Sequence, residues 1–212
     1  MHIEFLVEDV SGKRALEKLV PKLVGEAHTW DIKSYKGIGN IPPNLNPTTD
    51  PRKRILLDQL PRLLRGYGKV FAHDPNQYAV IVVCDLDRHC QQKFRQELLE
   101  VLNQCQPKPT TRFCIAVEES EAWLLGDMNA VRKAYPKAKK SVLERYVNDS
   151  ICGTWELLAD AVYPGGVKAL KEYGNVGAEK SKWAVNISHH MILEENQSTS
   201  FCYFRSKLLE LV

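Results

Sequence analysis

No Cys-x-x-Cys pair occurs among the six cysteines, at 84, 90, 105, 114, 152 and 202, so neither a zinc knuckle nor a dithiol redox motif is suggested. A Gly-x-x-x-x-Gly-Lys-Ser/Thr loop is also missing, which leaves the chain without an ATPase of its own. No apolar run approaches membrane-spanning length. The chain opens on a strand pattern where a secretory leader would need a cationic and then apolar segment. A reducing cytoplasm, with no membrane association, is the expectation. Internal repeats, low-complexity tracts and evident linkers are absent. Charge of one sign is scarce too: 29 Lys and Arg face 26 Asp and Glu, and the net charge of +3 argues only weakly for an anionic partner. With 212 residues, 44% hydrophobic and 26% charged, the chain suits one large globular domain, or one domain with an extension.

What the chain does have is an uncharged run, Ala79-Val80-Ile81-Val82-Val83-Cys84, that ends in Asp85-Leu86-Asp87. The run reads as a strand buried on both faces, as in a parallel sheet, and Asp74-Pro75-Asn76 supplies the turn before it. Period-2 geometry points the two aspartates the same way, about 6–7 Å apart. Two bare charges at that distance repel by about 2–3 kcal/mol at an effective dielectric near 20. A divalent cation with oxygen ligands relieves this; the alternative is that Asp87 caps the next helix and Asp85 is solvated.

His2–Val7 forms a first strand pattern that ends at Glu8, and Ser11 is positioned to cap the helix that follows. Pro21 is expected to kink or shorten that helix, and Gly25 to stop it. Residues 28–36 alternate like a second strand and lead into a loop punctuated by Gly37, Gly39, Pro42 and Pro43. Asp50-Pro51 reads as a helix start, with Pro61 interrupting the apolar stripe behind it. A helix over about 88–104 precedes a fourth strand, Phe113–Val117, and a helical Ala122–Leu125. The β-α-β-α-β-α-β-α order predicts an α/β fold: a four-stranded, mainly parallel sheet flanked by helices, TOPRIM- or Rossmann-like, over residues 1–127. Beyond about residue 128 strand signals vanish, and 128–212 reads as a C-terminal helical extension packed on the core.

Three of the four strands end in acid: Glu8 after the first, Asp85 and Asp87 after the third, Glu118 after the fourth with Glu121 one helical turn on. A shared cation site at one sheet edge follows. Two basic stretches, Arg52 to Lys69 and Arg132 to Arg145, would suit a polyphosphate substrate beside it; solvated helix faces are the commoner origin of such stretches. His189-His190 diverge by about 100° on a helix and cannot readily chelate one ion. Trp123 reads as core.

Strand–Glu, helix, strand, helix, strand–Asp-x-Asp is the layout of the TOPRIM domain of topoisomerases, bacterial primases and OLD-type nucleases. Phe5-Leu6-Val7-Glu8-Asp9-Val10-Ser11 resembles the OLD-like opening, and Val82-Val83-Cys84-Asp85-Leu86-Asp87 resembles the Asp-x-Asp strand. The chain is also similar, over most of its length, to a bacterial TOPRIM-like family of unknown function. That likeness rests on Ile115-Ala116-Val117-Glu118, Glu121-Ala122-Trp123-Leu124-Leu125-Gly126-Asp127 and Ser198-Thr199-Ser200-Phe201. TOPRIM domains usually have Gly after the Glu, where this chain has Asp9.

The resemblance implies Mg2+ (or Mn2+) and phosphoryl chemistry on nucleic acid. Asp85 and Asp87 would hold the ion, with Glu118 completing the site. Glu8 would serve as general base or acid, or bind a second ion. Asp9 either rearranges the turn or adds a ligand. Ser11, Lys36, Arg88, Glu121, Lys180 and Lys182 are the candidates for supporting or substrate-binding roles. A TOPRIM-type nuclease or nuclease subunit, in phage defence or DNA repair, is the leading expectation. The alternatives are a non-catalytic nucleic-acid- or metal-binding subunit working beside a separate ATPase and, further off, a nucleotide-sugar transferase using Asp-x-Asp. A haloacid-dehalogenase-like phosphatase would carry its Asp-x-Asp after the first strand, not the third. A homo-oligomer is left open.

Overall fold

The computed structural model describes residues 1–212. Four strands, β1 (His2–Val7), β2 (Thr29–Ser34), β3 (Tyr78–Asp85) and β4 (Thr111–Ala116), form one sheet in the order β2-β1-β3-β4. Every pairing is parallel, with His2 opposite both Thr29 and Tyr78, and Asp85 opposite Ala116. The expected α/β sheet is present, and it is wholly parallel. Ten helices surround it: α1 (Val10–Val24), α2 (Leu56–Phe71), α3 (Gln91–Asn103), α4 (Glu121–Leu125), α5 (Met128–Ala134), α6 (Lys140–Leu143), α7 (Thr154–Val162), α8 (Gly166–Tyr173), α9 (Val176–His190) and α10 (Thr199–Leu209).

The pleat sorts the strands between two cores. Ile3, Phe5, Val7, Ile81, Val83, Cys114 and Ala116 face one layer, while Leu6, Val80, Val82, Cys84, Phe113 and Ile115 face the other. The second layer is α2 and α3. The first is α1 together with the C-terminal helices, which bring Trp183, Ile187, Phe201, Phe204 and Leu208 onto the same strands. Residues 128–212 therefore supply most of one covering layer. Each fully buried Phe or Leu there contributes roughly 1.5–3 kcal/mol.

The chain steps from β1 to β2 on one side, then crosses to β3 on the other side of β1. The order reverses between β1 and β3, and at that point successive connections leave toward opposite faces: α1 toward one core, α3 toward the other. Open α/β sheets form a crevice there, at the carboxyl ends of the strands. Glu8 follows β1 and Asp85 ends β3, so both line the crevice.

Several local expectations change. Asp9, not Ser11, caps α1: its carboxylate accepts from Gly12 N at 2.7 Å and from Ser11 Oγ at 2.5 Å. Asp is as good an N-cap as Ser, and its second oxygen takes up the hydroxyl as well. Helices α1 and α2 run through Pro21 and Pro61, the apolar faces carrying Leu19, Val20, Leu60 and Leu64 outweighing one missing backbone bond each. Asp50-Pro51 starts only a 3-10 turn, Pro51–Lys53. Helix α2 begins later, at Leu56, and has no side-chain cap because Gly37 O and Ile38 O accept from Leu56 N and Leu57 N at 3.1 and 2.8 Å.

The segments that carried the closest family likeness turn out to interlock. Trp123 Nε1 donates to Ser200 Oγ (3.0 Å), and Asn196 Nδ2 donates to Trp123 O (2.8 Å). Asp127 caps α5 through Ala130 N and also accepts from Ile192 N at 2.9 Å. A side chain at Gly126 would sit 2.2 Å from Asn196 Oδ1. Asp149 binds Ser198 Oγ, Thr199 Oγ1 and both Ser200 N and Oγ, at 2.6–3.0 Å. These residues join α4 to α10; they hold the fold.

Candidate active site: an acidic cup around a half-buried lysine

The cup is built at the reversal point. Glu8 N remains in the ladder, donating to Val83 O (3.1 Å), and the Glu8 side chain reaches across to β3, where Oε2 accepts from Asp85 N at 3.0 Å. Parity puts Asp85 on the face of Ile81 and Val83, beneath α1 and α9. Asp87 has left the strand: its φ is +48° and its N–H donates to Glu118 O at 2.9 Å. Its charge still reaches Glu8. Glu8 and Asp85 therefore meet directly, while Asp87, expected to point the same way as Asp85, leaves the strand's period-2 path and acts on Glu8 through its charge.

Lys180, from the second turn of α9, enters this cup. Its Nζ lies 3.2 Å from Glu121 Oε2, and Glu121 is only 1% exposed. Helix α9 is fixed at both ends. Asn175 caps its start through Ala178 N (3.0 Å), and Lys22 of α1 donates to Ser188 O, His189 O and Met191 O at 2.9–3.1 Å around its end. Buried Trp183, Ala184 and Ile187 seat it on α1.

Burial opposes the charge on Lys180, yet Glu121, Glu119, Asp85 and Asp9 keep its pKa above the ordinary lysine range. The carboxyls do not share evenly in the pairing. Burial pushes Glu8 up to about 7, against the Asp85 N–H bond and with the charges of Asp87 and Asp9 adding to the rise. Asp85 is raised well above the usual carboxylate range by burial, then by Glu8, Glu121 and Asp9. Burial lifts Glu119 to about 7 and raises Glu121, Lys180 opposing in both. For Lys180 attraction wins and for Glu121 burial wins, because one ammonium is divided among Glu8, Asp9, Asp85, Glu119 and Glu121. Glu121 Oε2 faces the Lys180 ammonium alone, in an ion pair that is not aligned as a hydrogen bond. The cup is short of positive charge.

Not every expected residue joins it. Glu118, with φ +59°, turns to the start of α7. Its carboxylate accepts from Cys152 N (3.2 Å), Gly153 N (2.9 Å), Thr154 N (2.9 Å) and Thr154 Oγ1. Burial raises its pKa, but these donors outweigh that and hold it low. With its lone pairs engaged, Glu118 is a helix-capping residue, and the expectation that it completes a ligand set is corrected. Glu119, which sequence reasoning passed over, takes its place at the cup, accepting from Trp155 N at 3.1 Å. The only signal for it was its position in the acidic run after β4. Lys182 is exposed and pairs with Glu179, away from the cup. Ser11 supports the cap at Asp9. Arg88 is exposed and forms no ion pair. Lys36 is exposed in the loop after β2, whose next residue, Gly37, donates its N–H to Glu8 O at 3.1 Å.

The donor set is all hard oxygen and lacks counter-charge, which fits a divalent cation such as Mg2+ or Mn2+. As the side chains stand, no three His, Cys, Asp or Glu residues are closed into a ready-made ligand shell; the ammonium of Lys180 is the cation the carboxylates face. No helix is long and apolar enough to cross a membrane. Compared with protein-family models, curated proteins and solved structures, the chain finds no match.

Proposed function

We propose that this protein is a Mg2+- or Mn2+-dependent phosphoryl-transfer protein acting on nucleic acid, a TOPRIM-like nuclease or nuclease subunit. The observation that carries the reading is the crowding of Glu8, Asp85, Glu119 and Glu121 around one half-buried ammonium at the reversal point of a parallel sheet. Ordinary folding stability gives no reason to assemble so many desolvated carboxylates with so little counter-charge. Glu8, Asp85 and Asp87 are the residues that would hold the ion, with Glu121 and Glu119 behind them. When bound, a divalent ion polarises a phosphate oxygen and stabilises the charge that develops on it.

The remaining chemistry belongs to the chain itself. Glu8, with its pKa near 7, suits a group that takes or gives a proton at Oε at neutral pH. Its bond from Asp85 N aims that oxygen along β3. Lys180 keeps the carboxylates together in the ion's absence and presents a positive charge to a substrate phosphate. The roof formed by α9 and α1 excludes water from one side of the cup, which strengthens each of these interactions.

The test is incubation of the purified chain with plasmid, single-stranded and RNA substrates, with and without Mg2+ or Mn2+. Metal-dependent cleavage that is lost in Asp85→Ala supports the reading. Cleavage that persists in Asp85→Ala, or wild-type retention of nucleic acid without cleavage under any of these conditions, removes the catalytic assignment.

A further inference from the structure

Resting on the nucleic-acid reading above, we infer that the loop between β2 and α2 is a preformed seat for the phosphate backbone, and that Lys36, Arg52 and Lys53 lead the strand into the cup. Tyr35 N donates to Val7 O (2.8 Å) and Gly37 N to Glu8 O (3.1 Å), so the loop starts against the backbone of the cup's own glutamate. It then returns to the same place: Lys36 N donates to Arg54 O at 2.8 Å, and the Arg54 guanidinium bonds Ser34 O. Lys36 therefore lies one strand from Glu8, about 5 Å across the sheet, and the Pro51–Lys53 turn lies on the far side of Lys36, about 10 Å from Glu8.

The loop is also fixed before any ligand arrives. Asp58 of α2, 3% exposed, accepts from Thr48 N, Thr48 Oγ1, Thr49 N and Thr49 Oγ1 at 2.6–3.1 Å. Gly39 has φ +66°, and a side chain there would meet Ile55 Cγ2 at 2.1 Å. Arg65 bonds Leu45 O from below. A long loop held this firmly loses little entropy on binding.

Arg54 is used to close the loop, but Lys36, Arg52 and Lys53 face solvent. Lys36 and Lys53 are exposed and form no ion pair. Arg52, with its side chain 93% exposed, has only Asp50 at 3.7 Å. Positive charge with Asp50 as its one acidic partner, beside a cup with excess negative charge, matches a ligand that is anionic along its length and reacts at one phosphate. The second basic stretch does not share this placement. Lys139 N is bonded to Ala161 O at the far end of α7, whose start is the segment held by Glu118. That helix separates the two by about 12 Å.

The test is fluorescence anisotropy of labelled single-stranded and duplex oligonucleotides, with Ca2+ in place of Mg2+ to prevent turnover, over a salt series. The variants are Lys36→Ala/Arg52→Ala/Lys53→Ala and, as an equal change in charge, Lys137→Ala/Lys139→Ala/Lys140→Ala. The loop variant is expected to weaken single-strand binding about 10- to 100-fold near 0.1 M salt and to flatten the log–log salt slope by about 2, at about 0.7 per phosphate contact. The second variant should keep the wild-type slope. Wild-type affinity and slope in the loop variant, or equal losses in both variants, overturn the assignment of the loop while leaving the nucleic-acid reading standing. No wild-type binding to either oligonucleotide overturns both, as does loop-dependent binding to anionic vesicles alone.

Discussion

Lowering the pH should stabilise this protein, and the acidic cup sets both the sign and the size of the effect. In the unfolded chain Glu8 and Glu119 ionise near the ordinary value of 4.5; in the folded protein burial holds both at about 7. Between those values the unfolded chain has released protons that the folded protein keeps. Stability is therefore fully present below 4.5 and is lost as the pH rises toward 7. Asp85 and Glu121, also raised, contribute with the same sign. An isolated shift of that size corresponds to about 3 kcal/mol. Glu119 is only half-buried, so water screens part of its share, and the carboxyls compete for one ammonium, so their shares do not add. We expect a net loss of about 3–4 kcal/mol between about pH 5 and about pH 8. For a chain of this length, at roughly 2–4 °C per kcal/mol, Tm falls by about 6–16 °C. The assay is thermal melting at constant ionic strength in EDTA. Glu8→Gln, which keeps an oxygen to accept the Asp85 N–H, should raise Tm at the alkaline end and flatten the profile. Millimolar Mg2+ should do the same for the wild type. A Tm that is flat or rising across this range in EDTA, or a Glu8→Gln variant less stable than wild type at about pH 8, would refute the argument that the cup lacks positive charge.

Two further perturbations probe the parts that hold the site. Lys180→Met leaves the Glu121 carboxylate buried with no cation, so denaturant unfolding at about pH 8 should show a loss of about 3–5 kcal/mol, shrinking toward about pH 5 as the carboxyls protonate; an equal loss at both ends would mean that Lys180 contributes packing alone. Asp58→Ala removes the acceptor for the Thr48 and Thr49 donors, with an expected cost of about 3 kcal/mol and new protease cuts within residues 37–50; an unchanged digestion pattern would show that the loop is fixed by other contacts.

The strands could be read directly because the driving force is local. An uncharged β-branched run such as Ala79–Cys84 has few alternatives to a buried parallel strand, and β3 forms there. Acid following three of four strand patterns was likewise visible, since parallel strands connected by helices deliver their carboxyl ends to one edge. Local chemistry was less informative where two residues offered the same service. Asp9 and Ser11 can each cap a helix, and only the backbone path gave the role to Asp9. Asp50-Pro51 looks like a helix start, yet loop carbonyls from Gly37 and Ile38 satisfied α2 two residues beyond the turn.

The sequence by itself determined the α/β layering, the strand ends and the crowding of acid at one edge, because these follow from hydrophobic period and connectivity within short windows. Tertiary structure alone decided which acids face one another. Glu118 and Glu119 are neighbours in the chain, but a positive φ at Glu118 gives its carboxylate to the N–H groups of Cys152, Gly153 and Thr154, while Glu119 takes only Trp155 N and keeps the charge of Lys180 within reach. The choice of Lys180 over Lys182 has the same origin. Successive positions on a helix point in different directions, and the seat of α9 on α1, fixed by Lys22 at its far end, determines which of the two enters the site.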